Sequence, residues 1–253
     1  MSESYVPGFK DLVSIADDIR QRVDASSIIG FAAFEGLSRD SIDFETLDES
    51  WRPFVGLKML NGTAILMVAS SDDGTSQDRT AGIRILKQMD GAFLLTVGRC
   101  TTLHSRIPEN GLALIADHIN LTGSNPLSGP NDDEIGPRFS SMTEPYRFRL
   151  LKLAEELALA EGLTAHRCVF AGIAASPTAA ECRYLAYTGA DVYGFGITSD
   201  TIVANHTDLA VIALADVIAS RIPEGPVSRG SMPLDATRLS DSLSVMVERI
   251  LAS

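Results

Sequence analysis

The chain has 253 residues, of which 45% are hydrophobic and 21% charged; that is enough apolar material for a substantial core and excludes a mainly disordered chain. Its formal charge is −12 with no clustered basic patch, which argues against nucleic acid or an anionic membrane surface as partner, because both need grouped Lys and Arg. No apolar run reaches the ~18–20 residues that span a bilayer.

The predicted elements alternate. Phe9, Leu12, Val13, Ala16, Ile19 and Val23 recur at helical spacing and predict a helix over 9–23. Residues 27–32 read as a short buried strand, and 35–60 carry no clear period. Strands follow at 63–69, 92–97 and 112–116, with a helix over 80–89 between the first two. Residues 123–138 form a long loop rich in Gly, Pro, Asn and Asp, a length that is usually functional or interfacial. An amphipathic helix spans 146–161 and stops at Gly162 as its C′ residue. A strand over 167–171 leads to Ser176-Pro177, read as an N-cap with proline at the first helical position, and a helix to Thr188. Strands at 192–195 and 209–214, a Pro- and Gly-rich loop over 221–235 and a final helix to Leu251 complete the chain. Strand–helix alternation implies an α/β domain with a largely parallel sheet. No linker divides it, so 1–253 is expected to be a single domain.

The opening residues lack the basic segment and apolar core of a secretory signal. Cys100, Cys168 and Cys182 are an odd count without metal-type spacing. Neither a metal site, a cofactor nor a disulfide framework is expected, and a reducing cytoplasm is the expected setting.

One string is specific. Asp117-His118-Ile119-Asn120-Leu121-Thr122-Gly123 is followed by Asn125-Pro126-Leu127 and Gly129-Pro130-Asn131-Asp132. In order and spacing come Gly136-Pro137-Arg138-Phe139-Ser140-Ser141-Met142, Ala180-Glu181-Cys182-Arg183, Gly189-Ala190-Asp191 and Ile202-Val203-Ala204-Asn205-His206. Together they resemble the purine nucleoside phosphorylase family of the trimeric type, over about 25–250. The resemblance implies a three-layer α/β/α fold, with a mixed sheet curled into a partial barrel. It also implies a homotrimer with active sites near subunit boundaries and reversible phosphorolysis of a purine nucleoside. In that reaction C1′ gains oxocarbenium character, phosphate attacks it and the purine leaves with negative charge.

The resemblance weakens where that chemistry needs it. The family's first strand ends in a Gly-Ser-Gly phosphate loop; here Ala32 stands near the serine, among Phe31, Phe34 and Glu35. After the second strand, Ser70 to Gly74 replace an Arg-aromatic-His set and bring Asp72 and Asp73. Gly98-Arg99-Cys100-Thr101-Thr102 replaces the family's Asn-Ala-Ala-Gly-Gly, Pro177 stands near its purine-binding Glu, and Ile218-Ala219 near its Thr-Asn pair. No His follows His206, so the family's late catalytic His has no counterpart.

Candidate catalytic residues are therefore Arg99, Asp72, Asp216 and His104: a guanidinium for developing negative charge, two carboxylates and an imidazole for acid/base work. Candidate substrate-binding residues are Phe31, Phe34, Phe139, Tyr193 and Phe195. Phe139 matches an aromatic that reaches the neighbouring subunit's sugar pocket, and equally suits simple interface packing. Arg99 either meets an anion or pairs with Asp72 or Asp73 and plugs the pocket. Tyr193 and Phe195 share one face of their strand by alternation and either line a cavity or fill it. Asp117, His118 and His206 are expected to be structural, and Arg229 sits in the lid-like 221–235 loop. Three readings stand. The first is an enzyme with a pocket repurposed for a small organic, non-nucleoside biosynthetic substrate, its phosphorolysis lost. The second is a non-catalytic partner subunit or ligand-binding scaffold, including a mixed trimer with a paralogue. The third is an ordinary purine nucleoside phosphorylase with an atypical site.

Overall fold

A computed structural model describes residues 9–22, 27–33, 45–46, 54–60, 63–69, 76–223, 245–247 and 249–250. The elements are α1 (Phe9–Arg22), β1 (Ser27–Ala33), β2 (Glu45–Thr46), β3 (Phe54–Leu60), β4 (Thr63–Ala69), α2 (Ser76–Gln88), β5 (Phe93–Thr102), β6 (Leu112–Leu121), α3 (Phe148–Ala160), β7 (Ala165–Ile173), α4 (Ala179–Tyr187), β8 (Val192–Gly194), α5 (Ile197–His206) and β9 (Ala210–Ser220). Residues 245–247 and 249–250 are helical, and the rest of the helix expected up to Leu251 lies outside the described residues.

The strands run in the order β2-β3-β4-β1-β5-β8-β7-β6-β9, and β5 also pairs with β9. That second pairing closes β5, β8, β7, β6 and β9 into a five-stranded barrel, with β1 to β4 as an open extension. The sheet is mixed rather than largely parallel. β1 pairs in parallel with β4 and β5, and β5 with β9. β3–β4, β5–β8 and β6–β9 are antiparallel. Strand–helix alternation does not report these pairings, because β3 and β4 follow one another in sequence with no helix between them and barrel closure sets the other two.

Barrel closure also explains why four strands outrun their sequence signal. Arg99 to Thr102 and Asp117 to Leu121 are polar, but their backbone groups are paired on β9 and β7. Cys100, Ile115, Phe170, Val192 and Val217, one from each barrel strand, meet in a single apolar cluster. On one side that cluster continues into Ala16, Ile19, Ile83, Leu86 and Val203 of α1, α2 and α5. On the other side Leu151, Ala154 and Ala158 of α3 join Met246, Val247 and Ile250 against Phe31, Leu95 and Leu214. Helices thus cover both faces of the sheet, giving three α/β/α layers.

Helix ends follow local chemistry. α4 is capped by Thr178, not Ser176: its hydroxyl accepts from the Glu181 N–H, and the Glu181 carboxylate accepts from the Thr178 N–H. This reciprocal box satisfies two terminal donors, which Ser176-Pro177 cannot do. After α3 the chain leaves through Gly162 at φ +69, where a side chain is strained. Gly194 is required for a different reason. A Cβ there would lie 2.4 Å from the Arg99 carbonyl oxygen and 3.0 Å from the Phe170 ring. β8 therefore lies close against β5 because it has no side chain at that position.

Candidate functional site

Adjoining stretches of β5, β8 and β9 bring several sequence candidates together. Arg99 and Asp216 are direct register partners on β5 and β9. Asp216 is 5% exposed, flanked in sequence by the buried Ala215 and Val217. It therefore lies well inside β9 and not at a strand end, because β9 extends six residues beyond Leu214. Both residues have interaction partners. Between them in sequence terms sits Cys100, whose thiol is pushed well up by burial, with the charges of Cys168 and Asp216 adding to it. It is a buried neutral thiol, not an activated one.

Tyr193 lies opposite Thr101 across the β5–β8 ladder. It is 8% exposed, and burial raises its phenol, with the Thr101 side chain opposing. β8 stops at Gly194, so Phe195 lies just beyond the strand and alternation does not place it; it is half-buried and packs with Tyr193, Leu103 and Cys182 in one cluster. The Phe195 carbonyl lies 3.9 Å from where a Gly98 Cβ would be. Arg99, Asp216, Tyr193 and Phe195 thus belong to one small region of three adjoining strands.

The other candidates lie elsewhere. Phe31 is fully buried in the apolar core beside Leu95 and Val97, so substrate contact there would require the core to open. His104 follows β5. Its backbone N–H donates to the Thr102 hydroxyl, and its Nε2 lies 3.6 Å from Asp191 Oδ1. It faces Asp191, at the outer end of the barrel. Phe34, Asp72 and Arg229 lie outside the described residues.

Phe139 stands apart from that group. Its ring is 89% exposed and lies under the Arg138 guanidinium at 5.9 Å. Arg138 donates to the carbonyls of Leu127 and Gly129 and so holds the long loop. Asp117, His118, Leu127, Phe139, Met142 and Ile202 help line a cavity of about 550 Å3. At its base His118 Nδ1 and the buried Tyr146 hydroxyl share a 3.0 Å hydrogen bond. Burial lowers the His118 pKa, opposed by the Asp117 charge. Asp117 also accepts from the His118 N–H, and His206 Nε2 lies 3.2 Å from Asn131 Oδ1. Of the three, only His206 bonds a residue of the 123–138 loop, while Asp117 and His118 line the cavity.

Sequence reasoning missed Asp191 as a functional candidate, along with its partner Arg106. Asp191 was visible only inside the string Gly189-Ala190-Asp191. Arg106 lies 85 residues away and carries no local signal.

A family model described as the phosphorylase superfamily matches residues 33–252. Purine nucleoside phosphorylase 1 of Bacillus subtilis (strain 168) is 28% identical over 185 residues, 71% of this chain and 68% of that protein. Purine nucleoside phosphorylase 1 of Geobacillus stearothermophilus is 32% identical over 161 residues, 62% of this chain and 59% of that protein. The chain belongs to the purine nucleoside phosphorylase family. The family's fold is equally evident in three dimensions. A Schistosoma mansoni purine nucleoside phosphorylase, solved with a monocyclic inhibitor, matches with a TM-score of 0.83 at 21% identity, covering 99% of this chain and 98% of that one. Isoform 2 from the same organism, in complex with cytosine and ribose-1-phosphate, matches with a TM-score of 0.84 at 22% identity, covering 98% of each. At such identity the likeness is one of fold. Among the described residues no helix is long and apolar enough to cross a membrane.

Proposed function

We propose that this chain is a pentosyl-transferring enzyme that cleaves the N-glycosidic bond of a nucleoside, in a pocket whose anion-binding residues differ from the family pattern. The observation that carries this reading is the convergence of Arg99, Asp216, Tyr193 and Phe195 on three adjoining strands. The reaction builds positive charge at the sugar C1′ and negative charge on the departing base. A carboxylate such as Asp216 suits the first and a guanidinium such as Arg99 the second. Tyr193 and Phe195 supply apolar surface for sugar and base. In this reading the protein is a cytoplasmic homotrimer and 1–253 is one domain, with its cysteines reduced. Phe139 of one copy, 89% exposed, closes the pocket of the next.

The test is base release from inosine, guanosine and adenosine, followed by chromatography with and without inorganic phosphate. Base and pentose-1-phosphate formed only with phosphate identify phosphorolysis; phosphate-independent release identifies hydrolysis. Arg99→Ala is expected to lower kcat by about 100-fold or more, the scale of one lost transition-state donor. No release and no binding of any nucleoside would overturn the reading.

A second reading is favoured by the rewritten loops, where Ala32, Ser70, Asp72 and Pro177 replace the family's phosphate and purine ligands. In it the pocket serves another small organic molecule, with Asp72, Asp216 or His104 as acid/base groups, or the chain acts as a non-catalytic partner in a mixed trimer. Mass spectrometry of the purified protein for a retained non-nucleoside molecule or a paralogous chain tests it, and a bare homotrimer that cleaves nucleosides defeats it.

A further inference from the structure

We propose that Asp191 is the positioning residue of this site, the carboxylate that fixes the end of β5 against β8 and so sets where Arg99, Tyr193 and Phe195 stand. The inference rests on the nucleoside-cleaving reading only for its kinetic consequence. Its structural content comes from the bonding of one residue.

Asp191 is buried at 9% exposure just before β8. Its backbone joins two strands: its N–H donates to the Val169 carbonyl of β7, and its carbonyl accepts from the Leu103 N–H just past β5. Its side chain then repeats both links. Oδ2 accepts from the Val169 N–H at 2.9 Å, and Oδ1 accepts from Arg106 Nη2, with His104 Nε2 at 3.6 Å. Arg106 and His104 both lie on the segment that leaves β5. One carboxylate therefore ties β7, β8 and the exit of β5 together.

Position gives this tie its consequence. The β5–β8 ladder has only three register pairs, Cys100↔Gly194, Thr101↔Tyr193 and Thr102↔Val192. A three-residue ladder is weak in itself, and Asp191 adjoins its Thr102↔Val192 end. Arg99 and Phe195 adjoin the opposite, Cys100↔Gly194 end. β8 stays paired with β7, so loosening the Asp191 end frays the β5–β8 ladder from Thr102↔Val192 rather than freeing the strand, and small displacements of reacting groups are costly in rate. Arg106 is 69% exposed at its side chain while the Asp191 side chain is 12% exposed, so the ion pair can be altered from its solvent side without opening the core.

The test uses Asp191→Asn, Arg106→Gln, Arg106→Lys and the double variant D191N/R106Q in the full-length protein. Asparagine keeps an acceptor for Val169 and loses the charge facing Arg106; glutamine removes the same pair from the other side. Backbone hydrogen exchange is read over 99–104 and 192–196. The expected result is exchange faster by about tenfold in both single variants and no faster in the double, with Arg106→Lys restoring most protection. Under the nucleoside-cleaving reading, kcat falls by about tenfold or more at nearly constant KM in the same variants, with the thermal midpoint within a few degrees of the parent. If the parent cleaves no nucleoside, that reading fails while the exchange data still decide the positioning role. Unchanged exchange over both segments overturns it. So does a lowered midpoint with kcat intact, which marks Asp191 as a stability residue alone.

Discussion

Gly194→Ala probes the closest contact between the barrel's structure and its candidate site. The new Cβ would meet the Arg99 carbonyl oxygen at 2.4 Å and the Phe170 ring at 3.0 Å. Ordinary contact at that oxygen needs about 1 Å more. The obstacle is backbone, so no rotamer change relieves it and β8 must move away from β5. β8 cannot move freely, since Val192, Tyr193 and Gly194 also pair with Phe170, Ala171 and Gly172 of β7. Overpacking of this kind costs about 2–3 kcal/mol, or about 4–12 °C in Tm for a chain of this size. Gly98→Ala, on the neighbouring strand β5, is the control. There the nearest atom is the far end of Ile197 at 3.2 Å, a side chain that can turn aside, and the cost should stay under about 1 kcal/mol. Calorimetric melts of both variants decide the matter. Equal Tm values for Gly194→Ala and parent, or a larger loss for Gly98→Ala, would refute the close-approach argument.

Phe170→Ala empties a fully buried position inside the barrel and should cost about 3–5 kcal/mol in urea unfolding; a loss below about 1 kcal/mol would mean the barrel collapses onto the gap. Cys168 is raised from 9.0 to about 12 by burial, with the Asp191 charge adding and Arg106 opposing. A raised folded value means its contribution is full below the unfolded value near 9 and is lost as pH climbs toward 12, so Cys168→Ala should flatten the alkaline fall of Tm, and an unchanged slope would count against a neutral buried thiol. His118 is depressed below its ordinary 6.5 by burial, so the opposite sign holds. Its stabilising contribution is present above 6.5 and lost as pH falls through the depressed value; His118→Gln should make the acid-side stability curve shallower, and a curve as steep as the parent's would refute it.

The elements with strong local signals were legible. β4 is apolar from Ala64 to Ala69, and α1 holds five of the six apolar residues whose helical spacing predicts it, Val23 lying outside the described residues. α3 was legible too, apart from Tyr146, which stays outside the helix to place its hydroxyl on His118. Barrel closure was not legible in residue pattern, because it depends on backbone pairing of polar ends such as Arg99–Thr102 with β9. Only the resemblance of the 117–142 string supplied it. The candidate site was half legible. Asp216 follows from the oddity of a carboxylate in an apolar stretch and Arg99 from the comparison of its stretch with the family motif, whereas Phe195 lies beyond the end of β8, where alternation does not place it. Phe31 illustrates the limit: a bulky residue beside a family phosphate loop invites a pocket role, yet nothing in a strand's sequence tells which face meets the helices. Asp191 was hidden because its partners, Val169, Leu103 and Arg106, are distant in sequence.

These observations bear on how the chain holds the family frame independently of its loops. The frame is fixed by interior apolar side chains and by a close strand approach at Gly194, none of which needs to touch a ligand. Ligand chemistry sits on strand ends and the loops that follow them. A residue there, such as Arg99, keeps its backbone pairing with β9 whatever its side chain does. Selection on the barrel and selection on the pocket are therefore nearly independent, as expected where function is grafted onto a fold. Asp191 is the exception, because it serves both. A single substitution there should disturb the site before it disturbs the barrel, whereas Phe170→Ala should do the reverse. Comparing the two variants by Tm and by exchange over 99–104 separates these cases. If both quantities move together in both variants, barrel and site are one cooperative unit and the independence argued here is wrong.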